Sequence, residues 1–158
     1  MAQLARSVAS LRVFGDDLEP EEVTRLLGHS PSRSWRKGEI QSSKSGRSFT
    51  RRSGAWLLEV DSAEPEDFNG QVAKLLGMLT NDGTVWLQVT TRFEVDLFCG
   101  WFMGTSNEGV SVSPLTMSAL GKFGIELSLD IYGPDREEAA LAQQAVQGDG
   151  PASGGSAP

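Results

Sequence analysis

VASLRVFGDDLEPEEVTRLLG, residues 8–28, joins one predicted strand to one predicted helix. Apolar residues alternate with polar ones from Ala9 to Val13, which is the pattern of a strand with one buried face. Pro20 then stands where the first residue of a helix is expected, and Gly28 stands just after its end. The stretch therefore predicts a sheet whose apolar face packs against amphipathic helices.

The patterns of an alternating strand and of an amphipathic helix recur along the rest of the chain. A second helix, opened by Pro65, carries apolar residues at helical spacing from Phe68 to Leu79. A third helix is capped by Ser113 and ends at Gly124. Alternation with a period of two predicts further strands, at residues 54–60, 84–90, 93–101, 110–113 and 125–132.

These elements predict an α+β fold, a two-layer sandwich with helices on one face of a mostly antiparallel sheet. We expect a single domain over residues 1–133, a peripheral helix at 134–147 and a disordered tail at 148–158. Side chains expected to face the core include Leu11, Trp56, Val85, Leu87, Val89, Leu97, Cys99, Leu115, Leu120, Leu127, Leu129 and Ile131.

The composition narrows the class of protein. The 158 residues contain one cysteine and one histidine, which excludes an internal disulfide and argues against a metal site, so no cofactor is expected. No apolar run approaches the roughly 18 residues of a membrane-spanning helix, and no secretory signal is evident, so a cytoplasmic location is expected. A net charge of −7 argues against a general nucleic-acid binder.

Residues 29–53, the basic arm, interrupt the periodic pattern with many serines and glycines. The arm carries a net charge of +6 and the rest of the chain −13. We expect a long loop with short extended pieces, solvated and mobile. Opposite charge favours its contact with the acidic side of the sheet near Glu94, Asp96, Glu126 and Asp130. Binding of an anion or nucleic acid and docking on an acidic protein partner are the two alternatives. The candidate binding residues of the arm and the strand after it, with tryptophan available for stacking, are Trp35, Arg36, Lys37, Arg51, Arg52 and Trp56.

The sheet face turned away from the helices is a second candidate surface. Trp86, Phe98 and Tyr132 are expected there beside charged residues, a mixture typical of a covered or partner-binding face. The arm or the C-terminal segment, a protein partner or second copy, and a small ligand are the three occupants considered. The candidate residues of this face are Arg12, Glu94, Asp96, Phe98, Asp130 and Tyr132.

No arrangement of side chains in the sequence predicts a catalytic site. Residues 34–37 match an S-x-x-K pattern without its usual companions, and His29 has no evident partner for acid–base chemistry. Cys99 is expected to be a small buried hydrophobe, and Glu94 with Asp96 to be exposed strand charge. We name no catalytic residue, and the sequence favours a protein that is not an enzyme.

Four stretches of the sequence resemble a known family: FGDDLEPEEVTRLLG, PSRSWRKGE, GAWLLEV and IELSLDIY. Together they are similar to the bacterial domain of unknown function family 4279 over about residues 8–132. The most specific parts are residues 35–38 and the Gly54-x-Trp56 pattern. The family has no assigned reaction, so the resemblance implies a shared fold and no catalytic residues. The long basic segment 39–53 departs from the family pattern.

The acidic body and the aromatic residues of the sheet face together favour a small protein-binding domain of the cytoplasm, immunity-like or regulatory. Binding of an anionic ligand or nucleic acid by the basic arm is the alternative. A third hypothesis is an enzyme that uses Arg12, Glu94 or Asp96. A homodimer is compatible with the sequence.

Overall fold

The computed structural model of the protein describes residues 3–134. These residues form a five-stranded sheet, a separate two-stranded hairpin and four helices. The strands are β1 (Arg6–Gly15), β2 (Arg33–Trp35), β3 (Ile40–Ser42), β4 (Ser48–Thr50), β5 (Gly54–Glu59), β6 (Glu94–Phe102) and β7 (Glu126–Tyr132). The helices are α1 (Pro20–Leu27), α2 (Phe68–Gly77), α3 (Gly83–Arg92) and α4 (Pro114–Phe123).

The five-stranded sheet has the order β2-β5-β1-β6-β7, with β1 at its centre. β1 pairs antiparallel with β5 and β6, β2 pairs antiparallel with β5, and β7 runs parallel to β6. Parallel neighbours need a crossover connection, which α4 supplies between β6 and β7. The predicted α+β fold with a mostly antiparallel sheet is confirmed.

One face of the sheet carries the core. Alternation along β1 buries Ala9, Leu11 and Val13, as predicted, and β6 buries Leu97 and Cys99 on the same side. Full burial of one leucine or valine side chain contributes roughly 1.5–3 kcal/mol. The helices pack their apolar residues into the same cluster, chiefly Val23, Leu27, Phe68, Val72, Leu75, Trp86, Val89, Leu120 and Phe123.

The predicted ends of α1 and α4 are confirmed. α1 begins at Pro20 and is followed by Gly28, whose φ of 82° lies in the left-handed region that glycine adopts without strain. α4 begins at Pro114, and the hydroxyl of the preceding Ser113 accepts a hydrogen bond from the Thr116 amide at 3.1 Å. Local chain chemistry therefore sets the boundaries of both helices.

The prediction of two strands between residues 84 and 101 is wrong in its first half. That half is the helix α3, and only β6 is a strand. Trp86 and Val89 are buried by α3, whereas Leu87, predicted to face the core, is 67% exposed. Trp86 is therefore a core residue and does not belong to the sheet face on which it was predicted.

The composition of α3 explains this error. Valine, threonine and tryptophan dominate the stretch, and all three favour strands. The helix is fixed by its start, where the Asp82 side chain accepts a hydrogen bond from the Thr84 amide at 2.8 Å. Trp86, Val89 and Phe93 also fall at positions i, i+3 and i+7, so the helical period was present beneath the apparent alternation.

The second helix begins later than predicted. α2 starts at Phe68, because Asp67 accepts a hydrogen bond from the Gly70 amide at 3.0 Å and so caps the helix there. Pro65, predicted to open the helix, lies in the preceding segment. The apolar stripe itself is confirmed from Phe68 to Leu79.

Two details around α4 differ from the prediction. Residues 110–113 form a loop and not a strand. Val110 and Val112 nevertheless pack against the core, so their alternation reflects burial of side chains without strand pairing. Leu115, predicted on the inner face of α4, is 84% exposed, and Thr116 is buried in its place.

The last strand is only half covered. Leu127 of β7 packs against the core, as predicted. Leu129 and Ile131 share its side of the sheet and were predicted to be buried, but they are 39% and 61% exposed. Within residues 3–134 no helix covers this half of the edge strand, so both side chains reach solvent.

The basic arm is more ordered than a loop. Its first part is β2, which extends the main sheet by pairing Arg33 with Leu57 of β5. Its second part is the hairpin of β3 and β4. The arm thus continues the edge of the sheet.

No helix in the described part of the chain has the length and apolar character needed to cross a membrane. The peripheral helix predicted beyond Pro134 and the tail predicted at 148–158 lie outside the described residues.

Candidate functional site

The open face is the side of the five-stranded sheet opposite the helices. The register places Arg12 of β1 beside Asp96 of β6, and Asp96 beside Glu126 of β7. Every second residue of these strands lies on the same face, and no helix of residues 3–134 packs on it. Apart from Trp86, the sheet-face residues predicted from the sequence lie on the open face: Arg12, Glu94, Asp96, Phe98, Asp130 and Tyr132.

Arginine side chains lie close over aromatic rings at three places on the open face and its arm-side edge. The guanidinium carbons are 3.6–4.4 Å from the ring centroids, well within the range of cation–π attraction. Each contact hides one ring face from water and fixes a long side chain. These arginine–aromatic pairs are Arg12–Phe98, Arg6–Phe102 and Arg51–Trp35.

The central pair is held by a carboxylate. Arg12 donates one hydrogen bond from Nε to Oδ1 of Asp96 at 2.8 Å and a second from Nη2 to Oδ2. This two-point contact raises the pKa of the Arg12 guanidinium above its ordinary value. The contact holds the guanidinium group over Phe98, so Asp96 sets the position of Arg12 at the centre of the open face.

A shallow groove of about 360 Å³ lies beside this centre, between β1, β2 and β5. Leu57 forms an apolar part of its wall and is only 6% exposed. Arg33, which donates a hydrogen bond from Nε to the Glu59 carboxylate at 3.1 Å, lines the groove at the β2 edge. The groove therefore combines apolar lining with charges that are already paired.

The two ends of the open face differ in charge. At one end a cleft of about 560 Å³ is lined by three carboxylates, those of Glu94, Asp96 and Glu126. At the other end Tyr132 stacks on Phe102, with ring centroids 4.7 Å apart, and the Tyr132 hydroxyl donates to Asp130 at 3.3 Å. The acidic end holds no group of histidine, cysteine or carboxylate side chains suited to a metal ion within residues 3–134.

The basic arm is anchored by acids outside the open face. Arg36 donates hydrogen bonds to Glu19 at 2.6 Å and to Glu21 at 2.5 Å, which raises the pKa of its guanidinium. Lys37 pairs with Asp16 and lowers the pKa of that carboxyl. The expectation that the arm is drawn to Glu94, Asp96, Glu126 and Asp130 is therefore wrong, because the start of α1 offers nearer carboxylates.

The remaining candidate binding residues of the arm and of β5 divide between core and surface. Trp56 is fully buried and donates from Nε1 to the Thr24 hydroxyl at 3.1 Å, so it belongs to the core. Trp35 donates to the Ser53 carbonyl at 3.1 Å and lies beneath Arg51. Arg52 is exposed and, with Lys37, Phe49 and Arg51, lines a cleft of about 840 Å³ beside the hairpin.

The nucleophiles and bases considered from the sequence lie apart from one another. Cys99 is buried on the core side, and burial raises the pKa of its thiol to about 12. His29 contacts the Ser30 carbonyl through Nδ1 at 2.7 Å. Ser34 lies in the edge strand β2, so the S-x-x-K residues do not share a helical face.

Sequence reasoning missed Arg6, Arg33, Glu59 and Phe102 as residues of the open face. The alternation that begins at Ala9 extends backward to Arg6, and this extension would have revealed the first of them. Phe102 follows from continuing β6 one residue past Trp101. Arg33 and Glu59 become neighbours only through pairing of β2 with β5, which the sequence did not predict.

One protein family, described as Domain of unknown function (DUF4279), matches residues 4–134. The match spans nearly all of the described chain and most of the whole sequence. No curated protein and no solved structure matches the chain. The predicted family resemblance is confirmed.

Proposed function

We propose that this chain, which belongs to the DUF4279 family of domains of unknown function, binds a protein partner through the open face of its sheet. The observation that supports the proposal is the set of arginine–aromatic pairs on a face that no helix of residues 3–134 covers. A sheet face without a function is normally polar on its solvent side. This one carries the half-buried rings of Phe98 and Phe102 beneath arginine side chains, and the exposed ring of Tyr132.

The residue types support a protein ligand. Arginine and aromatic side chains are enriched at the centres of protein–protein interfaces, where they account for a large share of the binding energy. The central pair, Arg12 on Phe98, is already fixed by Asp96 in the free protein. A partner would therefore order few side chains on binding, which reduces the entropic cost of association.

The dimensions of the open face also suit a protein. The five strands, whose lengths run from three to ten residues, lie about 4.8 Å apart and cover on the order of 500 Å². A standard interface buries about 800 Å² on each partner, so the open face with its rim suffices for a modest interface. The grooves on it are shallow, which suits a protein surface better than an enclosed small molecule.

The charges define the partner's chemistry more closely. The arginines at the centre are paired, while Glu94 and Glu126 are exposed carboxylates at one end. The complementary surface would place apolar or aromatic residues at the centre and basic residues over that end. We propose further that the domain acts in the cytoplasm as an immunity-like or regulatory protein, blocking its partner by covering part of it.

The experiment compares capture of partners by wild-type protein and by two variants. Phe98→Ala combined with Arg12→Gln removes the central arginine–aromatic pair. Leu115→Ala, at an 84% exposed position on α4, is the matched control on the helix side. Under the proposal, a protein recovered in stoichiometric amount with wild type and the control falls at least tenfold with the open-face variant. Equal recovery with all three proteins would count against the proposal.

A second candidate function, binding of an anionic ligand or nucleic acid, has one supporting observation. The cleft beside the hairpin is lined by Lys37, Arg51 and exposed Arg52. Lys37 is paired with Asp16, so Arg52 is the residue to replace. A labelled single-stranded oligonucleotide should bind wild type more tightly than Arg52→Ala, with affinity falling steeply from about 50 to 200 mM salt. Binding insensitive to both changes would remove this candidate.

A further inference from the structure

The outer edge of β7 is a long strand edge with no partner among residues 3–134. It spans seven residues, Glu126–Tyr132, and contains neither proline nor a basic residue. Proteins usually protect such edges with lysine, proline, bulges or a covering segment, because bare edges pair with other chains. The other edge strand, β2, has only three residues.

The backbone groups at this edge can be identified. The Tyr132 carbonyl accepts a hydrogen bond from the Met103 amide at 2.9 Å, so Tyr132 points its backbone groups toward the β6 side. Successive residues of a strand direct these groups to opposite sides, so Leu127, Leu129 and Ile131 present theirs to the outside. Their side chains also lie on the half-covered side of the sheet, where Leu129 and Ile131 are exposed.

We propose that two copies of this protein pair antiparallel along β7, about a two-fold axis at Leu129. In this register Leu129 faces Leu129 of the second copy, and Leu127 faces Ile131. The outward amides and carbonyls of these three residues then form six hydrogen bonds across the interface. The two sheets become one ten-stranded sheet, with the exposed leucine and isoleucine side chains packed together.

Charge selects this register over its neighbours. An axis at Ser128 would set Glu126 against Asp130 of the second copy, and an axis at Asp130 would set two Asp130 residues against each other. Like charges directly opposite across strands are destabilising. The axis at Leu129 instead places Ser128 opposite Asp130 and Glu126 opposite Tyr132. The full-length register therefore sets no like charges against each other. In it the strand is complementary to a second copy of itself, as a two-fold interface requires.

Cysteine cross-linking tests the register. In Leu129→Cys the two new thiols lie on the axis with α-carbons about 5.5 Å apart, within the range of a disulfide. In the control, Ile131→Cys, the two thiols are offset by four residues, about 13 Å. Both positions are exposed, and native Cys99 is buried, so mild oxidation should yield a covalent dimer with Leu129→Cys only. No cross-link, or equal cross-linking of both variants, would overturn the proposal.

Charge variants at Ser128 test the same geometry without a covalent bond. Ser128→Lys would face Asp130 of the second copy and should tighten the dimer about fivefold or more, since the contact occurs twice. Ser128→Asp should weaken it by a similar factor. Light scattering and sedimentation over a concentration series give the dissociation constants, with wild type reaching twice the chain mass of 17.0 kDa. A wild type that stays monomeric, including one whose residues 135–158 occupy the edge, would refute the dimer.

The dimer and the proposed function can fail separately. Pairing along β7 joins the two sheets edge to edge. Neither copy covers a face of the other, so the open face of each stays exposed. Leu129 lies on the helix side of the sheet, away from the open face. Leu129→Asp would set two carboxylates against each other on the axis. If this variant is monomeric and still captures the partner, the binding proposal stays intact.

Discussion

Arg12 and Asp96, on neighbouring strands, form the two-point ion pair at the centre of the open face. The pair is partly buried, with 26% and 18% of the two side chains exposed. Its hydrogen bonds fix a guanidinium group that also covers the Phe98 ring. One carboxylate thereby orders the arginine at the centre of the proposed binding surface.

Asp96→Asn should disturb the position of the Arg12 side chain more than it lowers the stability of the fold. We expect a loss of about 0.5–1 kcal/mol in the free energy of unfolding, since a partly exposed pair contributes modestly, and a larger loss of partner affinity. Urea denaturation gives the first quantity. Asp61→Asn is the matched control, because Asp61 pairs with Lys74 at 3.1 Å but is 94% exposed. A stability loss as large in the control as in Asp96→Asn would contradict the assigned role of Asp96.

Trp86 and Leu87 distinguish the helix α3 from the strand that the sequence suggested. Trp86→Ala should cost about 3–5 kcal/mol, because the indole is 1% exposed and stacks on Phe123 with centroids 5.1 Å apart. Leu87→Ala should change the unfolding free energy by less than about 0.5 kcal/mol, because Leu87 is 67% exposed. Chemical denaturation of both variants settles the point, and the reverse order of effects would support the strand.

Cys99 should make stability depend on alkaline pH. Its thiol has a pKa of about 12 in the folded protein, raised by burial, against about 8.5 in an unfolded chain. Above pH 8.5 the unfolded chain loses this proton and the folded protein keeps it, so stability falls as pH rises. Relative to Cys99→Ala, wild type should lose about 1.4 kcal/mol per pH unit from roughly pH 9 to 11. A difference between the two proteins that does not vary with pH would show that the thiol ionises freely when folded.

The ion pairs of Arg36 should hold the arm in place without contributing to global stability. Arg36→Gln removes the contacts to Glu19 and Glu21, all three of which are exposed side chains. We expect an unchanged denaturation midpoint and faster amide hydrogen exchange in residues 36–53. Arg25→Gln on the exposed side of α1 is a control with the same change of charge. Exchange in the arm that is equal in the two variants would show that the arm is held by other contacts.

The fold was largely predictable because its helix boundaries are encoded locally. Pro20 with Gly28 and Ser113 with Gly124 mark ends that depend only on neighbouring residues. α3 was missed because its residues favour a strand in isolation, while its burial of Trp86 depends on α4. The exposure of Leu129 and Ile131 was also unpredictable, since alternation specifies the side of the sheet and not what covers it.

The candidate site was predictable only along single strands. Arg12, Asp96 and Phe98 follow from alternation within β1 and β6. The pairing of Arg33 with Glu59 required knowing that β2 joins β5. Likewise, the net charge of the arm indicated that it would form ion pairs with acidic residues. That these residues are Asp16, Glu19 and Glu21 depends on how the fold places α1 beside the arm.

The most direct test of the open face as a binding surface is an NMR titration of the isotope-labelled protein with the purified partner that it captures. The account predicts amide and side-chain shift changes concentrated at Arg6, Arg12, Phe98 and Phe102, with α1–α4 unaffected. Shift changes confined to the helices or to the hairpin of β3 and β4, with those four residues unmoved, would contradict it.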